Sequence, residues 1–361
     1  MVASMGANLV SVIMPMYATR RYLAAAMKSV LTQRGVDLEL VVVDDGTRDG
    51  SMDLVRKFDD PRVRVVEGPG AGIAEALNAG LRAARGDVIT RCDSDDLYAP
   101  GRLAFQADWL RRHPEFGAVC GGFTAISRRG FSLADMGCGT EPQEITHELR
   151  EGTLRTSFCT FATAAHLLHE LGGFRPFFRS AEDVDLQLRL SEICRVWFHP
   201  RNVYFYRLHD ASVTHQLSRS DKTFYEACAR WLQRQRVGGQ LDELQRNSPS
   251  KLLTDPVEAA LPRQSAAHHV QGLLLMKAWR QHSEGRRIHS ILTGVQAGLA
   301  QPKHLQAWKS IAALMVKLPG QESRRRNGVV ASSPAGSATP RISLGAAERN
   351  MTDPATAGMS P

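Results

Sequence analysis

Short β-branched runs alternate with amphipathic stretches through the first ninety residues, and no other feature constrains the fold as tightly. Leu9-Val10-Ser11-Val12-Ile13-Met14 reads as a buried strand ended by Pro15. Residues 22–33 place Leu23, Met27, Val30 and Leu31 at helical spacing. A second buried strand over 38–43 ends in Asp44-Asp45-Gly46, and a helix is expected over 51–58. Strand 63–66, a glycine-rich turn at 68–72, helix 73–84 and strand 86–90 complete the series. Strands alternating with helices predict an α/β fold, a mostly parallel sheet flanked by helices on both faces. Ligands of such sheets bind beyond the carboxyl ends of the strands. Pro15 with Tyr17, Asp44 with Asp45, and the run Asp93-Ser94-Asp95-Asp96 all fall at those ends.

The last of these is the richest in chemistry. Three carboxylates in four positions repel one another unless positive charge sits among them, and a divalent cation with oxygen ligands is the economical expectation. A bland reading, helix N-capping before Leu97, explains one aspartate but not three. Asp44-Asp45-Gly46 is equally a common turn pair. Ala181-Glu182-Asp183-Val184-Asp185 opens a helix in acidic residues; the group suits the helix dipole and also offers a general base. Arg207-Leu208-His209, with Ser212 and Thr214, follows a late strand at 203–207 and offers donors for phosphate oxygens.

Composition bounds the rest. Hydrophobic residues make up 43% and charged residues 23% of 361, as in a globular protein. The formal charge of +8 is spread along arginine-rich helices rather than gathered in one block. It suits a solvated surface or small anionic partners and a membrane surface, and no nucleic-acid partner is expected. Six cysteines lie far apart without a C-x-x-C pair, which fits reduced thiols. No basic leader or apolar run of about 18 residues is present. The expected location is cytoplasmic, with peripheral contact at the inner membrane face allowed.

A dinucleotide-binding reading fails because Pro15-Met16-Tyr17-Ala18-Thr19-Arg20 cannot form the glycine-rich pyrophosphate turn. A phospho-receiver would carry its acidic pair after its first strand, and a nucleotidyltransferase a glycine-rich loop there. Residues 9 to about 215 instead resemble the family 2 glycosyltransferases of the GT-A fold. The matching run is Val12-Ile13-Met14-Pro15-Met16-Tyr17, Val43-Asp44-Asp45-Gly46-Thr47, Gly72 with Asn78-Ala79-Gly80, and Asp93-Ser94-Asp95-Asp96. It continues through Gly172-Gly173-Phe174, residues 181–186 with Arg189, and Tyr206-Arg207-Leu208-His209 with Ser212.

The resemblance implies an inverting, metal-dependent transfer of a single sugar from a nucleotide-diphosphate-sugar, a UDP-sugar being favoured, to an acceptor hydroxyl in glycan or polysaccharide biosynthesis. The acceptor would be a glycan, a lipid-linked molecule or a small molecule. Pro15, Tyr17 and Asp44 would line the nucleotide pocket, and Asp93 would lie near the ribose. Asp95 would hold Mg²⁺ or Mn²⁺ against the diphosphate, which Arg207 and His209 would also meet. Asp183 would be the base and Glu182 would orient the acceptor. Two positions depart from the family pattern: Ala18 stands where asparagine is usual and Leu77 where arginine is common. No Gln-x-x-Arg-Trp follows Asp183, which argues against a processive synthase. A catalytically silent sugar-nucleotide-binding or scaffold protein is the alternative, and the presence of both Asp95 and Asp183 favours the enzyme.

The sequence divides into a catalytic domain over 1–220, a helical extension over 221–318 and a disordered tail over 319–361, rich in Ser, Ala, Gly, Pro and Thr. The extension's amphipathic end at 305–318 is expected to pack on the catalytic domain, with a membrane surface as the other reading.

Overall fold

The computed structural model describes residues 9–136, 139–212, 219–250 and 265–316. Thr214, Cys138 and the tail lie outside them. Four strands, β1 (Leu9–Met16), β2 (Asp37–Asp44), β3 (Val63–Glu67) and β4 (Val88–Arg91), pair in parallel in the order β3-β2-β1-β4. Helices α1 (Arg20–Leu31), α2 (Ser51–Lys57) and α3 (Ile73–Ala83) make the crossovers. The sheet continues through β9 (Ala162–Ala164), β6 (Ala118–Ile126), β10 (Val196–Arg207) and β5 (Leu97–Tyr98). Strands β7 (Ser132–Asp135) and β8 (Gln143–Glu144) pair with β6 and β10, giving a sheet of ten strands among the described residues. β6 and β10 run parallel, whereas β5, β7, β8 and β9 are antiparallel insertions.

Alternation along β1 sorts the core into two layers. Val10, Val12, Met14 and Met16 join Leu23 and Met27 of α1 on one face. On the other face Ile13 meets Leu77 of α3 and Leu186 of α7 (Glu182–Ile193). Leu77, the residue in place of the family arginine, is fully buried there. The strand does not stop at Pro15, as the sequence suggested, but runs to Met16. The carbonyl of Ile13 accepts from Cys92 N on the β4 side, so Pro15 faces that side too, beyond the last β4 partner. Its missing N–H therefore costs no ladder bond.

Gly80 sits where α3 crosses the sheet, and a Cβ there would come within 2.4 Å of Ile13 Cγ2. Asn78 donates to the Phe174 carbonyl at 2.7 Å and accepts from the Phe174 amide at 2.8 Å. Arg189 donates to the carbonyls of Leu171 and Gly173 and to Asp185. Three separate sequence motifs are thus parts of one joint, which anchors the loop leading to α7.

The remaining helices are α4 (Arg102–Arg112), α5 (Thr146–Arg150), α6 (Ala165–Glu170), α8 (Arg219–Val237), α9 (Ala266–Ser283), α10 (Arg287–Ala300) and α11 (Leu305–Val316). α8 packs Ala229 and Leu232 on Val184 and Leu188 of α7. α9 packs Leu273 and Leu274 on Ala125, Leu133 and Ala134 of the sheet. The end of the extension, α11, packs on α9 and α10 through Ile311 and Leu314. No helix among the described residues is long and apolar enough to cross a membrane.

Candidate active site

The carboxyl ends of β1, β2 and β4 bring the expected residues to one edge. Tyr17 is 63% exposed at the end of β1, while Pro15 is buried within the strand. The next residue, Ala18, has φ +50, in the left-handed region that suits asparagine better than alanine. Asp44 accepts from the Thr47 amide at 2.9 Å, and Thr47 Oγ1 donates to the Met16 carbonyl at 3.1 Å. Asp45 accepts from the Gly70 amide at 2.8 Å. Thr19 Oγ1 donates to Ser94 Oγ at 2.9 Å, tying the β1–α1 loop to the acidic run.

The three carboxylates of that run have three different environments. Asp93 takes two bonds from Arg91, at 2.6 and 3.2 Å. Asp96 is fully buried and accepts from Tyr204 Oη at 2.8 Å and the Arg207 amide at 2.6 Å. Burial, then the charges of Asp95 and Asp93, push its carboxyl well above the ordinary range, against those two hydrogen bonds. Asp95 meets His209 Nε2 at 2.8 Å. The positive charge that the cluster requires is therefore supplied to Asp93 by the chain itself, and Asp96 is held by burial and hydrogen bonds. The electrostatic case for a cation narrows to Asp95.

Arg91 reaches further. Its Nη1 donates to Glu182 Oε1 at 3.0 Å, so one guanidinium joins the end of β4 to the start of α7. Burial alone would pull Arg91 down, but the charges of Asp93 and Glu182 help to carry it well above the usual value. Glu182 is 6% exposed; burial raises it, Arg91 opposes that rise and Asp183 adds to it. Asp183, next along the helix, is half-buried. Ala181, which precedes them, has φ +61. Left-handed non-glycine residues are costly and cluster at functional sites, and two such alanines flank this one.

These contacts describe the surroundings of two further expected site residues. Glu182 is buried and engaged by Arg91. Arg207 is 5% exposed, and its Nε donates to the Asp95 carbonyl at 2.7 Å, so it clamps the acidic loop. Residues that sequence reasoning missed support the same loop. Tyr22 packs its ring 4.7 Å from that of His209 and under the Arg207 guanidinium at 4.8 Å. Arg102 is fully buried, with its guanidinium 4.0 Å from the Tyr98 ring and donating to Phe161 and Gln106. For these contacts the sequence offered one usable signal, the position of Arg91 two residues before the acidic run.

Among the described residues no group of three or more His, Cys, Asp and Glu side chains could hold a metal ion. Asp95 and His209 supply one oxygen and one nitrogen donor. Such a pair would suit a divalent ion only if other ligands took its remaining positions. A cavity of about 430 Å³ opens elsewhere, beside the middle of α7, lined by Glu170, Arg175, Phe177 and Arg189. Its arginines are already paired with Asp242 and Asp185.

Residues 11–184 match the model of Glycosyl transferase family 2. A Chondroitin synthase of Pasteurella multocida (strain Pm70) is 29% identical over 233 residues, covering 63% of this chain and 24% of that protein. The putative glycosyltransferase EpsE of Bacillus subtilis (strain 168) is 31% identical over 191 residues, covering 51% of this chain and 66% of that protein. S. aureus TarS 1-349, solved in complex with UDP-GlcNAc, superposes with a TM-score of 0.51 at 19% identity over 61% of this chain and 66% of that one. The last comparison bears on the fold, which is of the GT-A type. Residues 11–184 thus form a family 2 glycosyltransferase domain. The chain spans about a quarter of the chondroitin synthase's length.

Proposed function

We propose that this protein is an inverting, metal-dependent glycosyltransferase that moves one sugar from a nucleotide-diphosphate-sugar to an acceptor hydroxyl in glycan biosynthesis. The observation that carries this reading is the Arg91 bridge. It ties the first turn of α7, which carries Asp183, to the loop after β4, whose Asp95 meets His209 from the end of β10. A base and a diphosphate-binding pair at the same sheet edge suit a single in-line displacement. The Asp183 carboxylate takes the acceptor's proton as its oxygen attacks the anomeric carbon. The bond from that carbon to the diphosphate breaks on the opposite face, and the configuration inverts.

Asp95 and His209 would hold a Mg²⁺ or Mn²⁺ ion, which when bound neutralises charge on the leaving diphosphate. Exposed Tyr17 offers a surface for the nucleotide, with Pro15 and Asp44 behind it. Arg91 and Arg207 keep the acidic loop in place. A UDP-sugar is the donor class we favour, the class seen bound to TarS in the same fold. The residues of the extension carry no part of this chemistry. We place the protein in the cytoplasm.

A calorimetric panel of UDP-, GDP- and dTDP-sugars with Mn²⁺ tests the reading. UDP-sugars should bind, and Asp95→Asn should weaken that binding and remove its metal dependence. No binding by any donor would favour the scaffold alternative.

A further inference from the structure

The C-terminal helices turn large aliphatic side chains outward. In α10 the buried residues are Ser290, Thr293, Gly294, Ala297 and Gly298, all small. The neighbouring α11 fills the space they leave: a Cβ on Gly298 would meet the Trp308 ring at 2.8 Å and one on Gly294 would meet Leu314 at 3.2 Å. Ile288, Leu292 and Leu299 are 74%, 59% and 64% exposed, and half-buried Val295 lies between the last two. Their spacing of four, three and four residues places them on one face of the helix, over about 16 Å of its axis. A surface helix ordinarily buries its aliphatic stripe and exposes its small and polar residues; α10 does the reverse. More than half of the large apolar side chains exposed among the described residues belong to α9, α10 and α11.

Charge says what covers this stripe. Residues 265–316 carry Lys277, Arg280, Arg286, Arg287, Lys303 and Lys309 against one acid, Glu284. Arg286 and Arg287 are exposed before the stripe and Lys303 is exposed after it. Glu284 itself pairs with Arg280 at 3.6 Å and Arg286 at 3.7 Å. An aliphatic stripe with basic ends matches an anionic lipid surface, acyl chains below and phosphates at either side. A second copy docking on the same face would bring like charge against like charge.

We propose that α10 lies in the interface of an anionic membrane, with Ile288, Leu292, Val295 and Leu299 among the acyl chains and Arg286, Arg287 and Lys303 among the headgroups. The proposal goes beyond glycosyl transfer and stands without it, since none of these residues belongs to the candidate active site.

Co-sedimentation of the full chain with vesicles tests it, using phosphatidylcholine alone and phosphatidylcholine with about 30% phosphatidylglycerol at about 0.1 M salt. The wild type should bind the anionic vesicles and not the neutral ones. The triple variant I288S/L292S/L299S should bind about 10- to 100-fold more weakly. R286Q/K303Q, which leaves the stripe intact, should also weaken binding and lessen its salt dependence. Both variants change exposed side chains and should melt like the wild type. Equal binding to both vesicle types, or unchanged binding by the two variants, would overturn the proposal. So would no binding by the wild type, the outcome if another segment or a second copy covers the stripe. A wild-type dimer that the triple variant converts to monomer would identify the second copy.

Discussion

Ala18 holds a left-handed backbone conformation at the lip of the site, and an L-residue without a short polar side chain pays for it. Asparagine, the family's usual residue there, tolerates that region better. Ala18→Asn should therefore stabilise the protein by about 0.5–1 kcal/mol, read as a rise in Tm; an unchanged or lower Tm would show that the neighbours accept only alanine. The departure from the family pattern is visible in the sequence, but its cost is a backbone angle and is not. The acidic run teaches the same lesson. Asp93, Asp95 and Asp96 look equivalent as letters. Their partners come from β4, from the end of β10 and from residue 209, more than a hundred positions away, and these make one an ion-pair partner, one a candidate metal ligand and one a buried anchor.

At the scale of elements, Arg91 and Glu39 hold the parallel half of the sheet at its two ends. Arg91 joins β4 to α7, and removing it leaves Asp93 and Glu182 without their cation. Arg91→Gln should cost about 3–5 kcal/mol in urea unfolding, with Arg91→Lys intermediate because it keeps the charge but not the fork. A loss under about 1 kcal/mol would mean the bridge contributes no more than an exposed pair. Glu39 in β2 accepts from Ser11 Oγ and the Arg85 amide, each at 2.6 Å, and from Arg64 at 2.8 Å. Burial pushes Glu39 up, but these bonds outweigh it and its carboxyl lies below its ordinary value of 4.5. Because the folded value is the lower one, the stabilisation is complete above pH 4.5 and fades as pH falls through the folded value. The Tm difference between wild type and Glu39→Gln should accordingly shrink as pH drops below that value; a constant difference would rule out the ionised form as the cause. The first four strands were legible because their periodicity is local. The antiparallel insertions β5 and β9, of two and three residues, are too short to leave a pattern. The first half of β10 is disguised by Pro200 and a register shift at His199.

Over the whole molecule, the described residues up to Val316 form one compact unit, so the helices of the extension are built into the same body as the sheet. Leu274 of α9 is 6% exposed against Leu133 and Ala134. Leu274→Ala should cost about 2–5 kcal/mol and lower a single melting transition; two separated transitions would show that the extension unfolds on its own. The sequence pattern placed helices here but not where they dock, since the contact with β7 depends on a strand that the pattern did not reveal. The account as a whole turns on Asp183, whose neighbourhood rests on a bridge between residues 91 positions apart. Turnover of a UDP-sugar by wild type and Asp183→Asn, with UDP binding measured on the same samples, tests this most directly. The variant should bind UDP as the wild type does and turn over about 10²- to 10⁴-fold more slowly; full turnover by Asp183→Asn would contradict the account.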